Sequence, residues 1–320
     1  MLYLALAIAL AGGVTVRTAC QTATEGPGPA PTAIDSLGLP GDAAAQLKAA
    51  MAQHDSVGAE KLLLAEIAKD PHSQKAAHLL AFAGSVYFLD SDFLNAAIAW
   101  KKSEAIAPLE PTLQFSLAMA YVRIGHPEWA RPLLTTLGGQ EPKNSIFPYW
   151  LGRLDYDAHD YSGATQHFQK AIQLAPGMAR AYDNLGLCYF YQNENALAVD
   201  NFKKAIALDL AAAHPSAWPY LNLAVAQQFL NKSAEAEANL REALRLDPKF
   251  AQAHFQLGSV LEGEGKLQES LAEYHQAAQL DTNYAEPHMA MARVYRKLGQ
   301  KKEAQEEVQT YLSLHPKAEK

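Results

Sequence analysis

The sequence predicts an all-α protein built of stacked antiparallel helix pairs, and three series of residues support this. Small residues recur at steps of 34, 34, 34, 38, 34 and 34 residues, namely Gly84, Ala118, Gly152, Gly186, Ala224, Gly258 and Ala292. A second small-residue series keeps the same steps, namely Ala96, Ala130, Ala164, Ala198, Ala236, Ser270 and Ala304. A large apolar residue follows each of these four positions later, namely Trp100, Leu134, Phe168, Phe202, Leu240, Tyr274 and Val308. Because the series share one period, the chain is predicted to be an array of one repeated unit.

Each unit contains two apolar stripes at helical spacing, separated by a polar or glycine-bearing break. Residues 179–212 illustrate this, with one stripe from Tyr182 to Tyr189, a break at 192–195 and a second stripe from Ala198 to Ile206. The recurring Gly or Ala is expected at the closest crossing of the two helices, where a larger side chain would overpack. One helix pair cannot bury its own apolar face, so neighbouring pairs must cover it.

The repeated residues resemble the tetratricopeptide repeat family, whose pattern is Leu-Gly, a Tyr three positions later, Ala-x-x-x-Phe and a closing Pro. The unit at 179–212 matches best, through Leu185, Gly186, Tyr189, Ala198 and Phe202. Seven such units run over 77–318, and a degenerate unit with its connector is expected at 40–76. The resemblance implies a right-handed α-solenoid with a concave groove lined by the first helix of each unit.

The N-terminus is expected to direct export, with a plain apolar tail as the alternative. Residues 1–19 include an apolar run, Leu2–Val16, of about 22 Å as a helix, which is short of the ~30 Å bilayer core and favours a signal peptide. Cys20 follows Thr18-Ala19 and resembles the lipidated cysteine of bacterial lipoproteins, although Arg17 departs from that motif; cleavage at another small residue is the alternative. Residues 20–39 are rich in Pro and Gly and are expected to be a tether. The predicted location is periplasmic or anchored to the outer membrane, with the cytoplasm as the alternative.

Composition and motifs argue against several classes of function. A net charge of −7 does not suit a nucleic-acid partner. The basic cluster Arg293, Arg296, Lys297, Lys301 and Lys302 has glutamates beside it and is expected to be a solvated face. Phosphate loops, nucleophile elbows and zinc-ligand spacings are absent from the sequence. We therefore expect a non-enzyme without catalytic residues, metal or cofactor.

The predicted binding site lies in the groove that the resemblance implies. Carrying the family's groove positions onto this sequence predicts a set rich in aromatic side chains, the usual anchors of protein interfaces. These candidate residues are Phe115, Tyr149, Arg153, Tyr156, Asn184, Leu187, Phe190, Trp218, Asn222 and Phe229, and the same transfer adds Met119, Trp150, Asp183, Tyr191 and Val225. About half of the aromatic residues are expected to pack between repeats instead.

Asn184 and Asn222 each precede the Leu-Gly or Leu-Ala pair of their unit, and an Asn amide can both donate to and accept from a peptide group. The sequence therefore predicts a scaffold that binds a partner protein or extended peptide, with these two residues setting the register of its backbone. The alternative is the substrate-docking or regulatory subunit of an enzyme complex.

Overall fold

The computed structural model describes residues 31–210 and 215–314, and the regular structure in these ranges is helical. A 3₁₀ helix, Pro31–Leu37, comes before sixteen α-helices. In chain order these are α1 (Gly41–Ala52), α2 (Ser56–Ile67), α3 (Gln74–Leu89), α4 (Phe93–Glu104), α5 (Pro111–Arg123), α6 (Pro127–Gln140), α7 (Ile146–Asp157), α8 (Tyr161–Leu174), α9 (Ala179–Tyr191), α10 (Asn195–Asp209), α11 (Trp218–Phe229), α12 (Ser233–Leu246), α13 (Ala251–Gly263), α14 (Leu267–Leu280), α15 (Glu286–Lys297) and α16 (Lys301–Leu314).

The chain forms two compact units, whose described parts are residues 31–154 and residues 155–210 with 215–314. Within each unit, odd-numbered helices pack against the even-numbered helix that follows, and successive hairpins pack on each other. The predicted fold class, all-α with stacked antiparallel helix pairs, is confirmed.

In three hairpins a glycine on the first helix faces a large ring on the second. A Cβ on Gly186 would lie 2.6 Å from the ring of Phe202, and a Cβ on Gly258 would lie 2.7 Å from that of Tyr274. Gly84 stands in the same relation to Trp100. Where the small residue is Ala, the facing position in the sequence holds the narrower Leu134, Leu240 or Val308. The pairs are therefore matched in volume, as close packing requires.

Among the described residues, the turn inside each of the eight hairpins contains one residue with positive φ, which lets the chain reverse in a few residues. Glycine occupies three of these positions, and the whole set is His54, Ser91, Gly125, His159, Asn193, Asn231, Gly265 and Gly299. In three hairpins an Asp follows at once and caps the second helix, accepting a backbone N–H bond through its carboxylate. Each hairpin therefore has its tight turn at the end where its first helix meets its second, and we call this end the turn edge.

Tyrosines at one position of the first helix join successive hairpins. Tyr87 donates its hydroxyl hydrogen bond to Glu60 at 2.6 Å, and the Tyr189 hydroxyl accepts one from Gln169 at 3.0 Å. At the same position, Asp155 bonds His167 instead, at 2.6 Å. The equivalent Gln227 donates to Glu235 and accepts from Asn239. These two polar residues, which depart from the family pattern, are thus buried but satisfied inside their own hairpins.

The N-terminal region differs from the prediction over residues 31–37. These were expected to belong to the tether, but they form the 3₁₀ helix, and Ile34 and Leu37 are buried with Leu47 and Leu63. The segment packs against the helices because burying Ile34 and Leu37 is more favourable than keeping the extended backbone that its prolines prefer. The predicted signal peptide at 1–19, Cys20 and residues 20–30 of the tether lie outside the described residues. In the part of the chain that the structure describes, no helix is long and apolar enough for a bilayer.

Candidate protein-binding surface

The predicted site residues of the first unit are mostly packed into it. Tyr149 and Arg153 are buried on α7, and Phe115 is half-buried on α5. The Phe115 ring meets Phe147 edge-on at 6.0 Å, and Tyr149 meets Trp150 at 5.7 Å. In this unit, therefore, these side chains contribute to packing between helices.

The two predicted asparagines of the second unit use their amide donors on their own chain. Asn184 Nδ2 donates to the Arg180 carbonyl at 2.7 Å. Asn222 Nδ2 donates to both carboxylate oxygens of Asp183, at 3.0 and 3.2 Å, so it links α11 to α9. Both side chains are buried, and their role in setting the register of a bound backbone stays a prediction.

The remaining predicted residues of the second unit fall into two groups. Leu187 is buried, and the half-buried Trp218 packs edge-on against Phe250 at 4.7 Å. Phe190 and Phe229, in contrast, meet at one surface, and Tyr156, although buried, contacts that surface through Tyr191. The structure thus separates packing residues from residues that can meet a partner.

Five rings form this surface, which we call the aromatic patch: Tyr156, Tyr161, Phe190, Tyr191 and Phe229. Tyr161 and Tyr191 stack in parallel with ring centroids 4.8 Å apart. Tyr156 meets both of them edge-on, at 5.7 and 5.9 Å. Phe190 joins the patch to the next hairpin, since its ring lies 5.7 Å from Tyr191 and 5.0 Å from Phe229. The rings therefore form one connected surface across three successive hairpins.

The aromatic patch lies at the turn edge of these hairpins. Phe190, Tyr191 and Phe229 end the first helices α9 and α11, and Tyr161 begins α8 directly after its capping Asp160. Their position beside the turns leaves two rings open to solvent: Tyr191 is 41% exposed and Phe229 is 50% exposed. Burial raises the pKa of the Tyr161 phenol above its ordinary value, and Tyr191 beside it raises it further, so that phenol is neutral at physiological pH.

The prediction from the sequence did not include Tyr161. The family's groove positions lie on first helices, whereas Tyr161 opens a second helix. The sequence could have indicated Tyr161 through its aromatic neighbours Tyr156 and His159, which lie around the same turn. In the structure, His159 Nδ1 lies 2.9 Å from the Tyr161 hydroxyl.

The basic cluster is exposed, as predicted, and two of its members also bind a buried carboxylate. Arg293 and Lys297 on α15 both bind Glu262, which is on α13 and only 8% exposed. The Glu262 carboxylate accepts Arg293 Nε and Nη2 at 2.8 and 2.7 Å, Lys297 Nζ at 2.7 Å and the Tyr274 hydroxyl at 3.0 Å. Burial raises the pKa of Glu262, but these bonds outweigh it and hold the pKa at about 2. The sequence did not indicate this carboxylate, because its two cationic partners lie in the next repeat.

The histidines at equivalent places in the last two repeats make equivalent contacts. His254 Nδ1 lies 2.6 Å from Glu273, and His288 Nδ1 lies 2.6 Å from Glu307. The Glu273 bond raises the pKa of His254 against the effect of burial. The described residues hold no group of three or more His, Cys, Asp or Glu side chains placed to bind a metal ion. The His254–Glu273 and His288–Glu307 pairs therefore join the first helix of their hairpin to the second.

Family comparison identifies the repeat. Tetratricopeptide repeat models match residues 115–179, 177–249, 221–285 and 261–319, which together cover 115–319 without a gap. The DnaJ homolog subfamily C member 7 homolog of Dictyostelium discoideum is 25% identical over 156 residues. That match covers 45% of this chain and 29% of the Dictyostelium protein, so the chain spans less than a third of its relative.

Solved structures agree on the fold. A tetratricopeptide repeat protein from Parabacteroides merdae superposes with a TM-score of 0.63 at 17% identity, covering 82% of this chain and 99% of that one. PilW, described as a widely conserved type IV pilus biogenesis factor, gives 0.60 at 21% identity and covers 65% and 95%. At these identities the likeness concerns the fold. The chain belongs to the tetratricopeptide repeat family.

Proposed function

We propose that this protein is a scaffold that captures a partner polypeptide on the aromatic patch. Tetratricopeptide repeat proteins generally mediate protein–protein interaction, and their stacked hairpins offer extended surfaces for it. The observation that carries the proposal is the connected cluster of five rings, two of them open to solvent, on three consecutive hairpins.

Binding a partner costs less at the aromatic patch than at the buried residues of the predicted groove. Burying the open parts of Tyr191 and Phe229 against a partner would remove apolar area from water without moving a buried residue. Aromatic side chains also dominate the binding energy of protein interfaces, because they bury much area while losing few rotamers. Tyr149, Arg153 and Leu187 would have to leave the interior before a partner could reach them.

The patch also runs across successive hairpins, as a surface that binds an extended segment must. It joins α7 to α9 and α9 to α11, so a segment that runs along the turn edge would meet a ring at each hairpin. Such repeated, modest contacts suit an array in which every repeat contributes a similar surface.

We expect the double variant Tyr191→Ser, Phe229→Ser to lose capture of partner polypeptides by about tenfold or more, because two interface anchors are removed. The measurement is affinity capture from an extract of the native organism, with quantitative mass spectrometry. The rings are open to solvent, so the variant keeps its fold, which circular dichroism checks.

The matched control is Leu280→Ser, Leu312→Ser, which removes two comparably exposed apolar side chains from the second helices α14 and α16. Capture by this control is expected to equal that of the wild type. If both double variants retain the same polypeptides in the same amounts, the aromatic patch is not the binding surface.

A further inference from the structure

We propose that the first helices α1 and α3 carry a second binding site, for a partner segment with two apolar side chains three positions apart and an acidic one directly after the first. Residues 31–37 of the chain have this chemistry, and they occupy the site until such a segment displaces them. The site belongs to the first unit, whereas the aromatic patch belongs to the second. The inference therefore goes beyond the proposed function and does not rest on it.

Residues 31–37 pack against helices that were predicted to line the groove. Their 3₁₀ helix contacts α1 and α3, which are the first helices of two successive hairpins. Counted back from the positive-φ residue of the turn, Lys48 takes the place that Leu187 has in its own hairpin. Counted in the same way, Phe82 takes the place of Asn184. Both are therefore groove positions, equivalent to two residues that the sequence predicted to meet a partner.

Three side chains of the segment make its contacts with this groove. Ile34 and Leu37 are buried in one apolar cluster with Phe82, because residues three apart in a 3₁₀ helix point to the same side. Asp35, directly after Ile34, accepts a hydrogen bond from Lys48 Nζ at 2.6 Å. The segment thus contacts the groove as a bound peptide would, and its three contacting side chains define the ligand.

The segment is held weakly enough to exchange. Its ion pair with Lys48 is exposed on both sides and contributes little to the free energy of binding. The burial of two apolar side chains is opposed by the backbone freedom that seven residues lose. Gly38, which follows the segment directly, has a φ of 65° and no atom within 4 Å of the place of a Cβ, so the chain has room to turn there. A partner segment with the same three side chains can then compete for the site by mass action.

The test measures binding of a fluorescein-labelled peptide to the full chain by fluorescence anisotropy. The peptide keeps only Ile34, Asp35 and Leu37 of the segment and has alanine at its other places. In the wild type, the attached segment competes with the peptide at an effective concentration on the order of millimolar. The release variant Ile34→Asp, Leu37→Asp frees the site. We expect it to bind the peptide about tenfold more tightly than the wild type, or better.

A second variant leaves every buried side chain in place. Asp35→Lys sets a like charge against Lys48, and we expect it to bind the peptide about threefold more tightly than the wild type. The matched control is Asp90→Lys, a charge reversal at an exposed position of the same unit, which is expected to bind as the wild type does.

The position of the peptide is tested by exchanging charges. Lys48→Glu, added to the release variant, is expected to weaken binding of the peptide about threefold. A peptide with lysine in place of Asp35 is expected to recover that loss. Binding that does not respond to Lys48→Glu would place the peptide elsewhere on the chain and overturn the inference.

Circular dichroism checks that each variant keeps its helices. If the folded release variant binds the peptide no better than the wild type, residues 31–37 are a fixed cap of the array and the inference is overturned. If that variant does not fold, Asp35→Lys decides instead, and an affinity equal to that of the wild type overturns the inference. Tyr191 and Phe229 are unchanged in every variant, so none of these outcomes touches the proposed function.

Discussion

Glu262→Gln is expected to lower the free energy of unfolding by about 3 kcal/mol at neutral pH. The Glu262 carboxylate is buried and accepts four hydrogen bonds, three of them from the cations Arg293 and Lys297. Its pKa of about 2 in the folded chain, against an ordinary value of 4.5, sets the size of the effect. Gln keeps the shape but leaves both cations without a counter-charge. Urea unfolding followed by circular dichroism measures the loss.

The same carboxylate predicts a loss of stability in acid. Because the folded-state pKa lies below that of the unfolded chain, the unfolded state binds the proton first, and falling pH favours unfolding. The contribution is fully present above about pH 4.5 and is lost progressively as pH falls toward 2. Glu262→Gln should remove this part of the pH dependence. Glu306→Gln, an exposed matched control, should leave it unchanged; an equal effect of both variants would contradict the assignment.

Gly186→Ala is expected to destabilise the chain by about 2 kcal/mol, even though Ala is the better helix former by ~1 kcal/mol. The added Cβ would lie 2.6 Å from the fully buried ring of Phe202, which has no room to move away. The measurement is urea unfolding of the purified variant. Gly263→Ala is the control, because a Cβ there meets nothing within 4 Å, and we expect no loss of stability.

The volume match predicts a rescue. Gly186→Ala combined with Phe202→Leu recreates the pairing of Ala224 with Leu240, which this chain already uses. The double variant should therefore be more stable than the sum of the two single changes by about 1 kcal/mol. Strict additivity would show that Gly186 is needed for another reason than the ring of Phe202.

Much of the fold could be predicted, because helix period and repeat period are both local properties of the sequence. The crossing glycines were found from spacing alone, and their facing rings confirm the packing argument at Gly84, Gly186 and Gly258. The error at residues 31–37 has a plain cause. Composition suggested a tether, whereas Ile34 and Leu37 are buried by contact with helices further along the chain.

The site was harder to predict, because burial depends on neighbouring repeats. Groove positions carried over from the family gave the accessible Phe190 and Phe229, but also Tyr149, Arg153 and Tyr156, which are buried. Tyr161 was not predicted because it lies on a second helix, and the cationic partners of Glu262 were not predicted because they lie 31 and 35 residues away in sequence. The residue pattern of one repeat shows neither which second-helix side chains reach the surface nor which contacts form between repeats.

Site-specific photo-crosslinking in the native cell tests the binding surface most directly. A benzophenone side chain placed at position 229 or 191 would lie in the aromatic patch, and one placed at position 280 or 312 would lie on exposed second-helix surface elsewhere in the same unit. We predict that irradiation joins one and the same partner polypeptide to positions 229 and 191, with little product from the other two. Crosslinks to a partner from positions 280 and 312, with none from 229 and 191, would contradict the account.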